Sequence, residues 1–188
     1  MFISSFYSEE ELRTMGFKSI GKKCLISRNA KFYGIENIRI GDNVRIDDFC
    51  ILSGQIIIGS NIHIGAFVAL YGAYGIILED YTGISSRTTI YSALDDFSGN
   101  YLVGPIHDED KTNVTGAPVV LRRCSQICAH CLIFPGVEIG EGSVIGACSM
   151  VKHSVSQWGI YIGVPVKRLK NRDKDMLTKI PISRDNER

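Results

Sequence analysis

Three side chains suited to proton transfer lie in one stretch of the chain. Asp95 and Asp96 are adjacent, and His107 follows twelve residues after Asp95. An imidazole titrates near neutral pH and suits a general base, whereas an aspartate needs burial or a like-charged neighbour to raise its pKa. Two adjacent carboxylates can instead bind an ammonium group. We therefore predict that Asp95 with Asp96, or else His107, carries the chemistry of this chain; the alternative for Asp95 is a turn cap.

The elements that position these residues follow from a six-residue period on both sides of them. Aliphatic residues recur at every sixth position, at Ile40, Ile46, Leu52, Ile58, Ile64 and Leu70, and again at Leu121, Ile127, Ile133, Ile139, Ile145 and Val151. A helix would show a period of 3.6 and a half-buried strand a period of 2. Units this short bury an aliphatic side chain only by stacking on their neighbours, so the pattern predicts an all-β solenoid.

The six-residue period disappears between Tyr91 and Pro118, which predicts a long inserted loop at about 91–118. Loops of this length are usually functional or disordered, and we expect apolar residues such as Phe97 and Tyr101 to anchor this one. The chain is predicted to form a single domain over 1–188. Its parts are an N-terminal helical cap (1–19), the β-helix with its loop (20–162), and a C-terminal helix and tail (163–188).

Both solenoid ends carry helix signals. Ser8 with Glu11 three residues later forms a capping-box pattern, and Gly16 would end that helix. At the other end, the segment from Pro165 to about Lys179 places apolar residues among basic ones, which predicts a helix laid against the last coil. Solenoid ends expose an apolar cross-section, so both helices are expected to act as caps.

Composition excludes several classes of partner. The formal net charge of +1 and the pI near 7.6 give no electrostatic support for nucleic-acid binding. The sequence shows neither a signal peptide nor a run of about 18 apolar residues, so we expect a cytoplasmic protein without membrane insertion.

Cys50 and Cys131 fall at small inward positions of the repeat and are predicted to lie in the core. The spacing of Cys124, Cys128 and Cys131 is not that of a zinc site, so no metal is expected.

The repeat, the loop after Ile90 and the segment from Trp158 to Lys167 (WGIYIGVPVK) resemble the left-handed β-helix acyltransferases. The galactoside and maltose acetyltransferases, and sugar acetyltransferases of surface-polysaccharide pathways, are the most similar branches. The resemblance covers about 20–172. It implies a left-handed parallel β-helix of hexapeptide repeats, acetyl-CoA as acyl donor, and a homotrimer with active sites between its subunits.

The same resemblance implies roles for individual residues. Donor contacts are implied at the positions Ala129, Ala147, Lys152 and Gly163, and contacts to the nucleotide phosphates of the donor at Lys167 and Lys170. For these two lysines, a solvated helix face is the equal alternative. The family's catalytic histidine aligns with Asp95, where the pattern breaks. Arg87 and Tyr91 are candidates for binding sugar or phosphate, with a surface role as the alternative.

Loss of that histidine favours an amine acceptor, because a free amine is intrinsically nucleophilic. The chain also resembles acetyltransferases of O-antigen and lipopolysaccharide biosynthesis that act on nucleotide-linked amino-deoxy sugars, such as a dTDP-4-amino-4,6-dideoxyhexose. Three alternatives stay open at this point. They are O-acetylation of a sugar hydroxyl, a non-catalytic solenoid module, and a zinc carbonic anhydrase, for which the four histidines show no clustered pattern.

Overall fold

Three rows of short parallel strands surround one apolar core in the computed structural model, which describes residues 4–181. The strands in chain order are β1 (Ser19–Ile20), β2 (Leu25–Ile26), β3 (Lys31–Tyr33), β4 (Ile38–Ile40), β5 (Val44–Ile46), β6 (Ile51–Ile58), β7 (Ile62–Ile64), β8 (Ala69–Leu78), β9 (Gly83–Ile84), β10 (Thr89–Tyr91), β11 (Ala93–Asp95), β12 (Val114–Gly116), β13 (Val119–Leu121), β14 (Gln126–Ile127), β15 (Leu132–Ile133), β16 (Glu138–Ile139), β17 (Val144–Ile145), β18 (Met150–Val151), β19 (Gly159–Gly163) and β20 (Val166–Asn171). The helical elements are the α-helix α1 (Glu9–Thr14) and three 3-10 helices, Ile35–Asn37, Glu109–Lys111 and Asp175–Lys179.

Each row stacks equivalent strands of successive coils. One row is β1-β4-β6-β8-β13-β16, the second is β2-β5-β7-β9-β14-β17-β19, and the third is β3-β6-β8-β10-β15-β18; the long strands β6 and β8 turn a corner and join two rows. The parallel register places Ile40 beside Ile58, Ile58 beside Leu78, and Leu78 beside Leu121. All four side chains are buried. The stack of aliphatic residues that the period predicts is confirmed.

The corners between rows are made by residues in the left-handed backbone conformation. Asn43 and Asn61 have φ values of 55° and 61°, as expected for residues that tolerate this region. Phe49 and Phe67 occupy the same conformation at another corner, with φ values of 61° and 63°. The left-handed region is unfavourable for a residue with a bulky Cβ substituent, by about 1–2 kcal/mol. The corner of Phe49 and Phe67 is therefore not occupied by the residues that would be most stable there.

The two ends of the solenoid differ from each other. At the N-terminus, the Ser8 hydroxyl accepts a hydrogen bond from Glu11 N (3.2 Å), and the Glu11 carboxylate accepts one from Ser8 N (2.7 Å). Gly16 follows the helix with φ 95°. The predicted capping box is confirmed. Residues 1–3 of the predicted cap and 182–188 of the predicted tail lie outside the described residues.

The helix predicted from Pro165 to about Lys179 is wrong over most of its length. Strand β20 occupies Val166–Asn171 and pairs antiparallel with β19, so that only Asp175–Lys179 is helical, as a 3-10 helix. The unpaired edge of β19 explains the difference, because its backbone groups are satisfied by a returning strand. Arg172 then donates hydrogen bonds to the carbonyls of two earlier coils.

The inserted loop is ordered at its base. Strands β11 and β12 form a two-stranded antiparallel ribbon, with Asp95 opposite Val114. Phe97 (73%) and Tyr101 (43%), which were expected to anchor the loop, are instead exposed, and so is Ile106 (86%). The ribbon carries them away from the solenoid surface.

Cys50 and Cys131 lie in the core, as their repeat positions predict, and are 0% and 2% exposed. Burial raises the pKa of the Cys50 thiol to about 11 and also raises the pKa of Cys131. Both therefore act as small apolar residues. Across residues 4–181, no helix is both long and apolar enough to cross a membrane.

Candidate functional site

One corner of the solenoid carries two of the predicted donor contacts at equivalent positions of successive coils. His130 N donates to the Ser86 carbonyl (3.1 Å), and Cys148 N donates to the Ala129 carbonyl (2.9 Å). These ladder contacts place Ser86, Ala129 and Ala147 in one line along the solenoid axis. Ala129 is half-buried and Ala147 is exposed. Methyl side chains leave the backbone open to close approach by an extended ligand, which suits a thioester arm.

The residue after Ser86 begins a row of larger side chains. The guanidinium of Arg87 lies 4.6 Å from the ring centroid of Phe67, and the rings of Phe67 and Phe49 stack at 4.9 Å. Arg87 is exposed, and within residues 4–181 it has neither an ion-pair partner nor a side-chain hydrogen bond. Neither phenylalanine was predicted from the sequence as a functional residue. They could have been found from their place in the repeat, because they occupy a corner position where the backbone conformation favours asparagine.

Asp95 lies on β11 at the base of the ribbon. It is half-buried, and one carboxylate oxygen accepts a hydrogen bond from Gly104 N at 3.2 Å. The other oxygen has no hydrogen-bond partner among the described residues. Asp95 therefore has a fixed position and a free acceptor, as a group that receives a proton or binds an ammonium requires.

Asp96 has a different environment. Its carboxylate accepts hydrogen bonds from Ser98 N (2.8 Å) and from Asn113 Nδ2 (2.8 Å) across the ribbon. These hydrogen bonds from Ser98 and Asn113 lower the pKa of Asp96 below its ordinary value. A carboxylate so stabilised is a weaker base, and its contacts assign it to holding the loop together.

His107 lies further along the loop, just before the 3-10 helix Glu109–Lys111. Its side chain is half-buried and makes no hydrogen bond to another residue within 4–181. Asp95 and His107 belong to the same inserted loop, but within residues 4–181 no hydrogen bond or ion pair joins their side chains. The choice between these two residues as base stays a prediction.

Two further predicted contacts share one face of the solenoid. The pairing of β10 with β15 and of β15 with β18 places Tyr91, Phe134 and Lys152 in successive coils. Tyr91 stacks on Tyr71 with ring centroids 5.1 Å apart, and Lys152 Nζ lies 5.7 Å from the ring centroid of Phe134. This row runs from the base of the ribbon towards the C-terminal coils.

The C-terminal hairpin holds the remaining three predicted donor contacts. Gly163 has φ 113° and donates its N–H to the Ser149 hydroxyl at 3.0 Å. Lys167 pairs with Ile162 and Lys170 pairs with Ile160, because a bulge in β20 shifts the register. Alternate residues of a strand share a face, so the bulge brings both lysines to one side of the hairpin. They lie together on an exposed strand rather than on a helix face.

His63, an exposed residue of strand β7, has a defined partner. His63 Nε2 lies 2.7 Å from Asp47 Oδ2, and Asp47 Oδ1 accepts a hydrogen bond from Arg45 Nε at 2.7 Å. Burial raises the pKa of Asp47, but the hydrogen bonds from His63 and Arg45 outweigh it, so that the pKa falls below its ordinary value. The positive charge of Arg45 is therefore neutralised by the Asp47 carboxylate on the same face of the solenoid.

The candidate residues lie on both sides of strand β10. Arg87 and Ser86 precede strand β10, whereas Asp95 follows it on the ribbon. Strand β10 has three residues and spans about 10 Å. A ligand held between the corner line and Asp95 of the same chain would have to bridge that length.

Comparison with known proteins identifies the family of this chain. The family described as bacterial transferase hexapeptide (six repeats) matches residues 37–72. The chain is 39% identical over 176 residues to the dTDP-4-amino-4,6-dideoxy-D-glucose acyltransferase of Escherichia coli, and the match covers 92% of each chain. It is also 32% identical over 122 residues to the galactoside O-acetyltransferase of Escherichia coli K12, covering 62% of this chain and 58% of that one.

Solved structures agree with the sequence matches. AntD, an N-acyltransferase from Bacillus cereus solved with dTDP and 3-hydroxybutyryl-CoA, is 52% identical with a TM-score of 0.91, over 94% of this chain and 95% of AntD. A cysteine variant of AntD solved with dTDP-4-amino-4,6-dideoxyglucose and coenzyme A is 51% identical with a TM-score of 0.92, over 95% of this chain and 96% of AntD. The all-β solenoid predicted from the repeat and the left-handed β-helix implied by the family resemblance are thus confirmed, and the chain belongs to the hexapeptide-repeat acyltransferase family.

Proposed function

We propose that this protein transfers an acetyl group from acetyl-CoA to the amino group of a nucleotide-linked amino-deoxy sugar, such as a dTDP-4-amino-4,6-dideoxyhexose. The observation that carries the proposal is the match over nearly the whole chain to two relatives, one named for this amino sugar and the other solved with it. The loop agrees with an amine acceptor, because it offers the Asp95 carboxylate where galactoside-type enzymes have a histidine. The product would serve surface-polysaccharide or O-antigen synthesis.

Asp95 is the residue we propose for the acceptor amine. Its free carboxylate oxygen binds the ammonium and takes one proton, which leaves a neutral amine. The nitrogen lone pair then attacks the thioester carbonyl and forms the amide C–N bond. The C–S bond breaks, and coenzyme A leaves as a thiolate that is then protonated, while the second proton of the nitrogen passes to solvent.

The spacing of residues studied in AntD supports this choice. Its solved variants include changes of one serine and of an aspartate ten positions further along that chain. In this chain Ser85 and Asp95 have that spacing, and so do Ser86 and Asp96. Asp96 is engaged in the loop, so the pair Ser85 and Asp95 is favoured. Ser85 is exposed at the corner, where its hydroxyl can contact the sugar.

A site that uses both Ser85 and Asp95 is best built from two subunits, because β10 separates them within one chain. We propose a homotrimer in which the ribbon of one subunit reaches the corner of the next. The exposed apolar side chains of the ribbon, Phe97 and Ile106 among them, support this arrangement, since they lack a covering surface within residues 4–181. Acyl-CoA is supplied in the cytoplasm, where we place the reaction.

The donor would lie along the C-terminal coils. Ala129 and Ala147 leave room for the pantetheine arm, and Lys152 and Gly163 flank its path. Lys167 and Lys170 present two ammonium groups on one face of the hairpin, which suits the nucleotide phosphates of coenzyme A.

Mass spectrometry of the products from acetyl-CoA and a panel of nucleotide amino sugars tests the proposal. We expect a mass gain of one acetyl group on an amino sugar and none on the matched hydroxyl sugar. Turnover of hydroxyl sugars without turnover of any amine would establish O-acetylation instead. Absence of acetyl-CoA binding in a titration would favour a non-catalytic solenoid.

A further inference from the structure

Two exposed phenylalanines form a ladder at one corner of the solenoid. Phe49 is 53% exposed and Phe67 is 45% exposed, and their rings stack at 4.9 Å. Both residues adopt the left-handed backbone conformation, which is unfavourable for them. Asn43 and Asn61 hold the neighbouring corner of the same two coils in that conformation. The fold itself therefore does not require aromatic residues at this corner.

Arg87 extends the ladder by one coil. Phe67 N donates to the Asp48 carbonyl and Arg87 N donates to the Ala66 carbonyl, so that Phe49, Phe67 and Arg87 occupy equivalent positions of successive coils. The guanidinium covers one face of Phe67, and the stacked ring of Phe49 covers the other. Phe49 is 53% exposed and Arg87 is exposed, so parts of the ring and of the guanidinium are open to solvent.

The charge of this corner differs from that of the neighbouring face. Arg45 and His63 both contact the Asp47 carboxylate at 2.7 Å. No carboxylate of the described residues pairs with Arg87. An exposed cation stacked on aromatic rings suits a ligand that has both an anionic group and a flat ring system.

The order of residues along the corner indicates which part of a ligand would lie here. Ser86 is next to Arg87, and the line from Ser86 continues into the C-terminal coils through Ala129 and Ala147, where we place the donor. An acceptor whose sugar contacts Ser85, the neighbour of Ser86, must extend away from the donor, towards the coils of Phe67 and Phe49.

Resting on the function proposed above, we propose that Phe49, Phe67 and Arg87 form the nucleotide subsite of the acceptor. The Arg87 guanidinium pairs with the diphosphate, and the outward face of Phe49 packs against the base. Phe67 holds the other two in place. Two coil spacings, about 10 Å, separate Phe49 from Arg87, so a ligand that reaches both residues must be extended along the solenoid axis. A second copy of this chain is the alternative occupant, and the molar-mass measurement below distinguishes it from a nucleotide.

Calorimetric titration of dTDP into the intact protein tests the subsite without requiring turnover. Arg87→Met is expected to weaken dTDP binding about tenfold to a hundredfold, because a charge-assisted phosphate contact is lost. The double variant Phe49→Asn, Phe67→Asn is expected to weaken it about fivefold or more, because base stacking is lost. Asparagine tolerates the left-handed conformation, so this variant should fold. Arg45→Met is the matched control, with a change of less than about twofold expected.

The outcomes separate the subsite from the proposed function. Unchanged dTDP affinity in both ladder variants overturns the subsite, and so does a wild-type protein that binds no dTDP. A fall in molar mass by light scattering in the phenylalanine variant, at unchanged dTDP affinity, would assign the corner to a second copy. Weaker dTDP binding in the ladder variants, together with no acetylation of any amino sugar by the wild type, would support the subsite and overturn the proposed reaction.

Discussion

Replacing Asp95 with asparagine is expected to lower the rate of acetyl transfer and to leave the fold of the loop unchanged. One oxygen of Asp95 accepts the Gly104 N–H at 3.2 Å, and the asparagine carbonyl can accept the same hydrogen bond. The antiparallel pairing of β11 with β12 uses backbone groups and does not depend on the side chain. The substitution therefore removes the negative charge and the basicity of residue 95 while it keeps the ribbon in place.

The two effects of Asp95→Asn differ widely in size. With the Gly104 hydrogen bond retained, we expect the free energy of unfolding to fall by less than about 1 kcal/mol. Loss of a general base lowers kcat by about 10²–10⁴. At about 1.36 kcal/mol for each factor of ten, this corresponds to a barrier higher by about 2.7–5.4 kcal/mol. Activity should fall greatly while stability hardly changes.

The assay is continuous detection of the coenzyme A thiol at saturating acetyl-CoA with an amino-sugar acceptor, together with a thermal unfolding curve for each variant. Asp96→Asn is the matched control. It should unfold at a lower temperature, because an amide group cannot accept both of the hydrogen bonds that Asp96 accepts, but it should keep most of its rate below the transition. Full activity in Asp95→Asn would refute the reasoning, and a large loss in His107→Gln alone would assign the base to the imidazole.

Three other predictions concern the donor side and the scaffold. The double variant Lys167→Gln, Lys170→Gln should raise KM for acetyl-CoA about threefold to tenfold and leave KM for the acceptor unchanged in steady-state kinetics, because exposed charge pairs contribute modestly. Gly140→Ala should lower the free energy of unfolding by about 1–3 kcal/mol in urea titrations, since its Cβ would lie 2.5 Å from a backbone nitrogen of the next coil; an unchanged midpoint would contradict this packing. Hydrogen bonds from Arg122 lower the pKa of Glu138 below its ordinary value of 4.5, so the contribution of this pair is complete above that pH and is lost as pH falls through the lowered pKa. Glu138→Gln should therefore unfold with a shallower dependence on pH than the wild type in this acid range, and equal slopes would exclude the contribution.

The sequence predicted the scaffold well because each repeat carries its own signal. Ile40 and Ile58 are three six-residue periods apart, and the strand register places them side by side. The capping box of Ser8 and Glu11 was predictable for the same reason, since its partners are three residues apart. Such features depend on the spacing of residues that are close in sequence, and distant residues contribute little to them.

Other features depended on distant partners. Lys167 and Lys170 follow a helical pattern of apolar and basic residues, but the open edge of β19 made that segment a strand. Asp95 and Asp96 look alike in the sequence, and only the cross-ribbon contact from Asn113 distinguishes a structural carboxylate from an available one.

The sequence by itself determined that this chain is a hexapeptide solenoid with one long insertion. The reason is that six-residue units can bury their aliphatic side chains only by stacking on one another. The tertiary structure decided what the residues outside that period do. It aligned Phe49, Phe67 and Arg87, far apart in sequence, on one corner, and it placed Asp95 on a ribbon at the opposite end of β10. The physical reason is that coil stacking brings together residues about 18–20 positions apart, at distances that no local pattern records.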